Sequence, residues 1–363
     1  MFYKTEKISS RQVFALITME MLGAGFVVMP YLAIALAWRD GLAAILAASI
    51  VAVVYAMLII KGEEFFNGLD FFDCASVALG KIPSNILRLG FAVKSVLFAG
   101  FGLRLFGEST SRVMESEISP YFIMAAMMLC VLYCVIKGRE TGGRLAEVFV
   151  LLYLLALAFV FLWGIPQGHI IELRPVLGEE GSAILKAVYC LMLWFYPLEY
   201  ALIAMPYVSD RHKLKKSCTL AVCVSGVFAA AIFALTLCRF GAPQMRQMTY
   251  PVLEMMYSVN LPTSFIERQE GLMLGLWVVG MFFALRGAIY YGGECAACVF
   301  KGTDRGIVCL LCGIGALCIG LLPKNGKGAE NCLYNVVLVA ESLYFVVLPL
   351  LLLCVGLRRG VKK

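Results

Sequence analysis

The sequence predicts an all-α membrane protein that crosses the bilayer ten times. Of its 363 residues, 61% are hydrophobic and only 15% are charged, and the mean hydropathy is +0.87. A soluble domain of this length carries considerably more charge. Most apolar runs between the charged clusters are long enough for a membrane helix, which needs about 20 residues. We therefore expect a single transmembrane domain over residues 1–363.

Ten apolar runs define the predicted spans. The first follows a short basic segment, but it is too long for the apolar core of a signal peptide and no small-residue cleavage site follows it. The predicted bounds of the spans are 11–37, 41–60, 83–106, 120–136, 143–164, 183–207, 217–238, 271–292, 306–322 and 333–357.

The distribution of basic residues predicts the orientation of these spans. Of the 31 Lys and Arg residues, 18 lie on the side that holds the N-terminus, 8 lie on the other side, and 5 lie within spans. Cytoplasmic connections are enriched in Lys and Arg. The pattern predicts that both termini are cytoplasmic. Because the basic residues are scattered between spans, the net charge of +7 reflects topology, and no nucleic-acid partner is expected.

The sixth predicted span carries a proline and a glutamate near its middle. Pro197 has no N–H and leaves the carbonyl one turn earlier without its helical partner. Glu199 is an ionisable residue, which is rare inside a membrane span unless it has a function. Many transporters build a midplane binding site from such a broken helix. A kinked helix whose glutamate lies near the membrane surface is the alternative interpretation.

The first predicted span has similar interruptions. Gly23, Gly25 and Pro30 lie within eight residues, and they permit or force departures from regular helix. The triplet Met29-Pro-Tyr31 of this span recurs 176 residues later as Met205-Pro-Tyr207 in span six. Interrupted segments at matching positions of two halves indicate a midplane site.

Spans one and six begin two halves of five spans, at about 11–164 and 183–357. Because five is odd, the second half enters the membrane from the opposite side. The sequence therefore predicts a five-plus-five inverted repeat with broken helices one and six.

The cysteine spacing imitates a metal site. Cys295 and Cys298, followed by Cys309 and Cys312, reproduce the spacing of paired zinc ligands. The second pair lies in a continuous apolar run, where deprotonating a thiol is costly. We expect no metal site here.

The sequence shows no arrangement typical of an enzyme. The only histidines are His169 and His212, and both lie in predicted connections. No glycine-rich phosphate loop and no catalytic pair of carboxylates is visible. We therefore expect neither catalysis nor a cofactor.

Several short motifs follow one another along the chain. They are Ile8-Ser-Ser-Arg-Gln-Val-Phe14, the aromatic-Pro-x-Glu stretch from Phe195 to Glu199, Tyr250-Pro251, Ile266-Glu-Arg-Gln-Glu270 and Trp277-Val-Val-Gly280. Together they resemble the spore germinant-receptor B-subunit family over nearly the whole chain. That family is similar to the amino acid–polyamine–organocation superfamily, so the resemblance implies a LeuT-like fold. The family usually has a glycine where this chain has Leu198.

The resemblance also implies a function. Members of the family recognise small germinants, often amino acids, and work with an A subunit and a lipoprotein C subunit in the inner membrane of the spore. We expect a germinant-sensing subunit that binds its ligand between spans one and six and triggers germination. The alternatives are an amino acid secondary transporter of the same superfold and a membrane scaffold without a pocket.

A germinant amino acid offers a carboxylate and an ammonium, and the broken spans hold groups for both. Backbone N–H groups of the glycine-rich turn suit the carboxylate. Glu199 or Glu20 suits the ammonium, and Lys94 is expected to face the bundle interior. Because proton-coupled or uncoupled relatives of the superfold can place a lysine where a sodium ion would bind, the resemblance implies that Lys94 argues against sodium coupling. Arg286 is expected to pair with Glu199. The candidate ligand-binding residues are Gly23, Ala24, Gly25, Phe26, Lys94, Phe195, Tyr196, Glu199, Tyr200, Arg286 and Tyr290, with Trp194 as a further aromatic wall.

Overall fold

A computed structural model of the chain describes residues 7–63, 69–113, 118–164, 169–174, 178, 181–248, 251–258, 269–300 and 303–360. Within these ranges the chain is almost entirely helical. The α-helices are α1 (Ser10–Ala37), α2 (Gly41–Glu63), α3 (Phe71–Leu79), α4 (Lys81–Val113), α5 (Pro120–Ile136), α6 (Arg139–Gly164), α7 (Gly181–Met192), α8 (Leu198–Ala204), α9 (Leu214–Gln247), α10 (Pro251–Ser258), α11 (Gln269–Val299), α12 (Arg305–Gly320), α13 (Gly326–Val336) and α14 (Leu348–Gly360).

The lengths of these helices match a multi-pass membrane protein. Among the described residues, seven helical stretches are long and apolar enough to cross a bilayer, and α5 and α12 are shorter apolar helices. Every predicted span coincides with helix over most of its length. The crossing number of ten stays a prediction.

The first helix is held at its start by two sets of hydrogen bonds. Ser9 and Gln12 form a capping box, in which each side chain accepts from the backbone N–H of the other residue. Ile8 donates its N–H to the carbonyl of Tyr207 at 3.0 Å. The backbone N–H of Ser10 donates to Asp210 Oδ1 at 2.7 Å. These bonds fasten the beginning of α1 to the segment that follows α8.

The predicted break in span one is wrong. Helix α1 continues from Ser10 to Ala37 through both glycines and through Pro30. The structure gives Gly23 a different role, because a Cβ added there would overlap the carbonyl oxygen of Gly280 in α11. Gly23 lets two helix backbones touch, as small residues do between membrane helices. Pro30 removes one hydrogen bond without ending the helix.

The predicted break in span six is confirmed. Helix α7 ends at Met192, a 3-10 turn covers Leu193–Phe195, and α8 begins at Leu198. Around Pro197 the backbone hydrogen bonds join residues that are three apart in sequence instead of four. The N–H of Glu199, for example, donates to the carbonyl of Tyr196 at 2.9 Å. The missing N–H of Pro197 explains why the regular ladder stops here.

The repeated Met-Pro-Tyr triplet does not mark equivalent local structure. The first copy lies inside α1, whereas the second forms the 3-10 turn Met205–Tyr207 after α8. The bounds of the two predicted half-repeats stay a prediction.

The last predicted span contains an irregularity that the sequence did not indicate. Between α13 and α14, residues Val337–Val347 form a π-helix, whose wider turns are frequent at functional sites. Two tyrosine hydroxyls hold this segment in place, one from the π-helix itself and one from α2. Tyr344 donates its hydroxyl to the carbonyl of Leu87 in α4 at 3.0 Å, and Tyr55 of α2 donates to the carbonyl of Phe345.

The packing surrounds the broken helix. Helix α1 packs against α9, α11 and α6, while α4 packs against α11, α12 and α13. All seven residues of α8 are buried. The connection between α2 and α4 contains the short helix α3, and the connection between α9 and α11 contains α10.

The contact between Gly23 and Gly280 predicts different effects for two glycine substitutions in α1. Gly23→Ala should lower the free energy of unfolding by about 1–3 kcal/mol, because the added methyl group meets backbone and not a movable side chain. Gly25→Ala is the matched control. Its Cβ would meet only Met29 Sδ at 3.4 Å, so stability should be unchanged or slightly raised. Thermal unfolding of the purified variants measures both, and equal effects would contradict the close helix contact.

The anchoring of α1 predicts an acid-sensitive contribution to stability from Asp210. Slight burial acts to raise the pKa of Asp210, but the hydrogen bonds from Ser10 outweigh it, and the pKa lies below its ordinary value. The stabilisation is therefore present above the unfolded pKa of about 3.9 and is lost as the pH falls through the lower folded pKa.

Asp210→Asn should lower the melting temperature at neutral pH. Its difference from the wild type should shrink as the pH falls below about 4 and should vanish below the folded pKa of Asp210, where the carboxyl is protonated. Ser10→Ala removes the side-chain hydrogen bond of Ser10 but keeps its backbone N–H bond to Asp210, so it should lose only part of this stabilisation. A difference that stays constant down to pH 3 would show that the Asp210 charge contributes nothing.

Candidate functional site

The centre of the molecule holds a buried ammonium between two buried carboxylates. Lys94 Nζ donates to Glu199 Oε1 and, at 2.7 Å, to Glu341 Oε2. The exposed fractions are 4% for Lys94 and 1% for each glutamate. We call these three residues the central triad. It carries one formal positive and two formal negative charges in a place that water does not reach.

Three different helical segments deliver the triad. Lys94 lies in the middle of α4, as expected for a lysine that faces the bundle interior. Glu199 lies in the first turn of α8, directly after the break, and Glu341 lies in the π-helix. A buried charge is costly unless it is paired, so each segment is constrained to keep its charge beside the others.

Aromatic rings surround the ammonium. Lys94 Nζ lies 4.6 Å from the ring centre of Phe91, 5.4 Å from that of Tyr344 and 5.8 Å from that of Tyr196. These distances are within the range of cation–π attraction. Glu199 Oε2, by contrast, is buried and has no hydrogen-bond partner among the described residues. The carboxyl groups of Glu199 and Glu341 also lie within hydrogen-bonding reach of each other.

The aromatic contacts extend from the break to α11. Tyr196 packs edge-on against Tyr200 with ring centres 5.9 Å apart, and Tyr200 stacks on Tyr291 at 4.6 Å. The sequence-predicted residues Lys94, Tyr196, Glu199 and Tyr200 therefore do lie together.

Arg286 lies apart from this group. The predicted pairing of Arg286 with Glu199 is wrong, because Arg286 Nη1 lies 3.9 Å from Glu20 Oε1 instead. Both side chains are fully buried, and Glu20 rests on the bare backbone of Gly287. Glu20 thus lies beside a basic residue of α11. Neither Glu20 nor Arg286 makes a hydrogen bond to the side chains or backbone that the structure describes.

Tyr290 contacts Arg286, whose guanidinium carbon lies 4.6 Å from the centre of its ring, and also joins a third cluster near the start of α6 and α12. Its hydroxyl accepts from Arg305 Nη2 at 2.5 Å. Glu294 accepts from Arg139 at 2.6 Å and forms an ion pair with Arg305, also at 2.6 Å. Arg139 also lies over the ring of Tyr207 at 3.6 Å. These contacts tie α11 to three other segments on the predicted cytoplasmic side.

The remaining predicted site residues lie around α1 and the break. Gly23, Ala24, Gly25 and Phe26 are all within the continuous helix, so they form no turn of free N–H groups; the side chains of Ala24 and Phe26 lie outside the described part. Phe195 is buried, and its ring tip lies 3.9 Å from the position of a Cβ on Gly226 in α9. The anion site predicted at the glycines of span one is therefore wrong.

A cavity of about 230 Å³ lies between the outer half of α1, the break and the start of α13. We call it the outer cavity, since the predicted topology places it towards the outside. Its walls include Tyr31, Trp194, Glu330, Asn331 and Tyr334. Trp194 belongs to the 3-10 turn that precedes Pro197, so the cavity and the triad share one short segment.

Comparison with known proteins identifies the family. Residues 7–327 match the family described as spore germination protein. The chain belongs to the spore germination protein family. It is 23% identical to the spore germination protein YndE of Bacillus subtilis (strain 168), with all of both chains covered. It is 24% identical to spore germination protein KB of the same organism, over 96% of this chain and 94% of that one. Membership of the germinant-receptor B-subunit family is thereby confirmed.

Solved structures confirm the LeuT-like fold of this germination protein. The chain resembles the transporter MhsT in complex with L-phenylalanine, with a TM-score of 0.69 at 15% identity over 96% of this chain and 89% of that one. It also resembles a Na⁺-coupled sialic acid symporter, with a TM-score of 0.66 at 11% identity over 93% and 78% of the two chains. The fold is of the transporter type, and with the family it identifies a germination-related membrane protein and not an enzyme.

The sequence interpretation missed Glu341. It lies in the apolar stretch Val337–Val347, and an ionisable residue inside a membrane span is by itself a reason to expect a functional site. The signal was therefore present. The partner could not be read from the sequence, because 247 positions separate Glu341 from Lys94.

The charges of the central triad predict non-additive substitutions. Lys94→Met should destabilise the germination protein by about 3–5 kcal/mol, because two carboxylates remain buried without a cation. Glu341→Gln should cost less, since it leaves the balanced pair of Lys94 and Glu199. Adding Glu341→Gln to Lys94→Met should recover part of the loss.

Thermal unfolding of the three variants and the wild type measures this coupling. Lys186→Met, at an exposed lysine of α7, is the control and should leave the melting temperature unchanged. Strictly additive effects of the two triad substitutions would mean that their charges do not interact.

Proposed function

We propose that this chain is the germinant-sensing membrane subunit of a spore germinant receptor and that it binds a free amino acid at the α7–α8 break. The observation that carries the proposal is the position of Glu199, a buried carboxylate held beside the ammonium of Lys94 directly after the break in the helix. A broken helix of this fold commonly frames a midplane site. The family supports a role in germination.

The charges of the triad favour a zwitterion. The ammonium of an amino acid placed between Lys94 and Glu199 binds Glu199, and its carboxylate binds Lys94, which keeps its bond to Glu341. In this arrangement every charged group, of the ligand and of the triad, lies beside a group of opposite charge, so no buried charge loses its partner. An amine alone would leave Lys94 facing a second cation, and a carboxylic acid alone would leave Glu199 facing a second anion.

The aromatic rings set the space for the side chain of the ligand. Phe91, Tyr196 and Tyr344 line the ammonium of Lys94, and Phe98 packs against Tyr196 with ring centres 5.0 Å apart. Apolar walls around a few convergent polar groups are typical of small-ligand sites. This supports a small, largely apolar amino acid as the germinant.

The assembly and the location follow from the family resemblance. In this proposal the chain lies in the inner membrane of the spore with both termini in the cytoplasm, beside an A subunit and a lipoprotein C subunit. Binding at the break shifts the two halves of the interrupted helix and signals to these partners. The cluster of Arg139, Glu294 and Arg305 ties α6, α11 and α12 together and must adjust if that end of the bundle moves.

A secondary transporter for amino acids is the second candidate. The observation in its favour is the transporter-type fold with its interrupted helix. Uptake or exchange of the bound amino acid by the purified chain in liposomes would favour transport, and binding without uptake would favour sensing.

The proposal predicts a loss of ligand affinity for Glu199→Gln. This substitution leaves the balanced pair of Lys94 and Glu341, so the fold should survive. A thermal-shift screen of the proteinogenic amino acids on the purified chain should find a stabilising ligand. Glu199→Gln should raise the dissociation constant of that ligand about tenfold or more, because a charged hydrogen bond is lost.

Spores in which the chain is replaced by the variant should need a correspondingly higher germinant concentration. Glu254→Gln, at an exposed glutamate of α10, is the control and should behave as the wild type. The proposal fails if no amino acid stabilises the chain, or if folded Glu199→Gln protein binds its ligand as tightly as the wild type.

A further inference from the structure

The outer cavity has the composition of a second binding site. Its carboxylate is Glu330, which is half-buried and makes no hydrogen bond or ion pair within the described part of the chain. Its aromatic walls are Tyr31, Trp194 and Tyr334, and Asn331 adds a carboxamide. A carboxylate beside aromatic faces is the combination that binds organic ammonium groups.

The volume of the outer cavity limits the size of its ligand. At about 230 Å³ it is smaller than the roughly 300–1,000 Å³ of sites for drug-sized molecules. Val28, Leu32 and Leu333 provide apolar wall. The ligand is thus a small molecule with one ammonium group and a short apolar body.

The charges of the outer cavity differ from those of the central triad. The triad contains an ammonium of its own, which suits a zwitterion. The described lining of the outer cavity contains Glu330 and no lysine or arginine. Lys327, one turn earlier in α13, is exposed, and its charge acts on Glu330 without forming an ion pair. Nothing in this lining offers a cation to a ligand carboxylate.

We propose that the outer cavity is a separate binding site for small organic ammonium compounds, with Glu330 as the group that binds the ammonium. The ligand is an amine, or an amino acid that presents only its ammonium end. Because Trp194 forms one wall and precedes the break by a few residues, an occupant lies against the segment that carries Glu199. This inference adds a site to the proposed function and does not require the central site to bind.

Three probes of one shape test the site: L-valine, isobutylamine, which lacks the carboxylate of valine, and isovaleric acid, which lacks the ammonium. Equilibrium binding of radiolabelled isobutylamine to the full chain in lipid nanodiscs is measured at neutral pH. We expect saturable binding that unlabelled isovaleric acid does not displace. Displacement by L-valine in the Glu199→Gln background would show that amino acids also enter the outer cavity; failure to displace would assign the site to amines.

The variants separate the two sites. Glu330→Gln should weaken isobutylamine binding about tenfold or more, whereas Glu254→Gln and Glu199→Gln should leave it unchanged. Ala35→Phe fills the outer cavity from an exposed position of α1 and should abolish binding without disturbing the core. It keeps the test decisive if Glu330→Gln folds poorly.

Two results would overturn the inference. One is the absence of saturable isobutylamine binding to the wild type. The other is binding that folded Glu330→Gln and Ala35→Phe proteins retain. If Glu199→Gln alone removes binding, the amine occupies the central site, and the outer-cavity inference fails while the proposed function stands. If the Glu330 and Ala35 variants lose isobutylamine binding and the binding of no amino acid depends on Glu199, the outer-cavity inference stands and the proposed function fails.

Discussion

The buried ammonium of Lys94 is the group on which the centre of this molecule depends. A lysine that is 4% exposed inside a membrane bundle requires carboxylate partners, and it has two, Glu199 and Glu341. Each partner lies in a segment that departs from regular α-helix, one after the proline break and one in the π-helix. The irregular backbone and the buried charges therefore occur together. Irregular backbone at membrane depth is tolerated where protein surrounds it, and all of α8 is buried.

The two helices that meet at the centre have different mechanical characters. Helix α1 is continuous and touches α11 backbone to backbone at Gly23 and Gly280. The α7–α8 segment is interrupted and packs through side chains. A continuous helix with a close glycine contact resists local bending. In an interrupted helix, the two halves can move separately. Rearrangement on ligand binding is thus more easily borne by the second segment, whose far end is fastened to the start of α1 through Asp210 and Tyr207.

The buried charges at the break and the single carboxylate of the outer cavity form two different patterns. At the break, the ammonium of Lys94 lies between the carboxylates of Glu199 and Glu341. In the outer cavity, Glu330 and three aromatic residues suit an ammonium alone. The chain combines membership of the germination family with a transporter-type fold. The same architecture can hold a ligand for transport or for sensing.

Composition, hydropathy and single residues determined much of this protein in advance. The predicted spans coincide with helices, the break at Pro197 is present, and Lys94 faces the interior beside Glu199. These features depend on local chemistry: the length of an apolar run, the missing N–H of a proline, and the cost of an unpaired charge in hydrocarbon. Short sequence motifs also indicated the family resemblance.

Only the tertiary structure decided what the glycines of α1 do and which charges pair. A glycine in a sequence permits either a turn or a close helix contact, and the choice depends on Gly280, 257 positions away. The same holds for Arg286, which pairs with Glu20, and for Glu341, which joins Lys94 across 247 positions. The physical reason is that a break is a property of one segment, whereas a contact or an ion pair is a property of two. The second partner is chosen by how the helices pack.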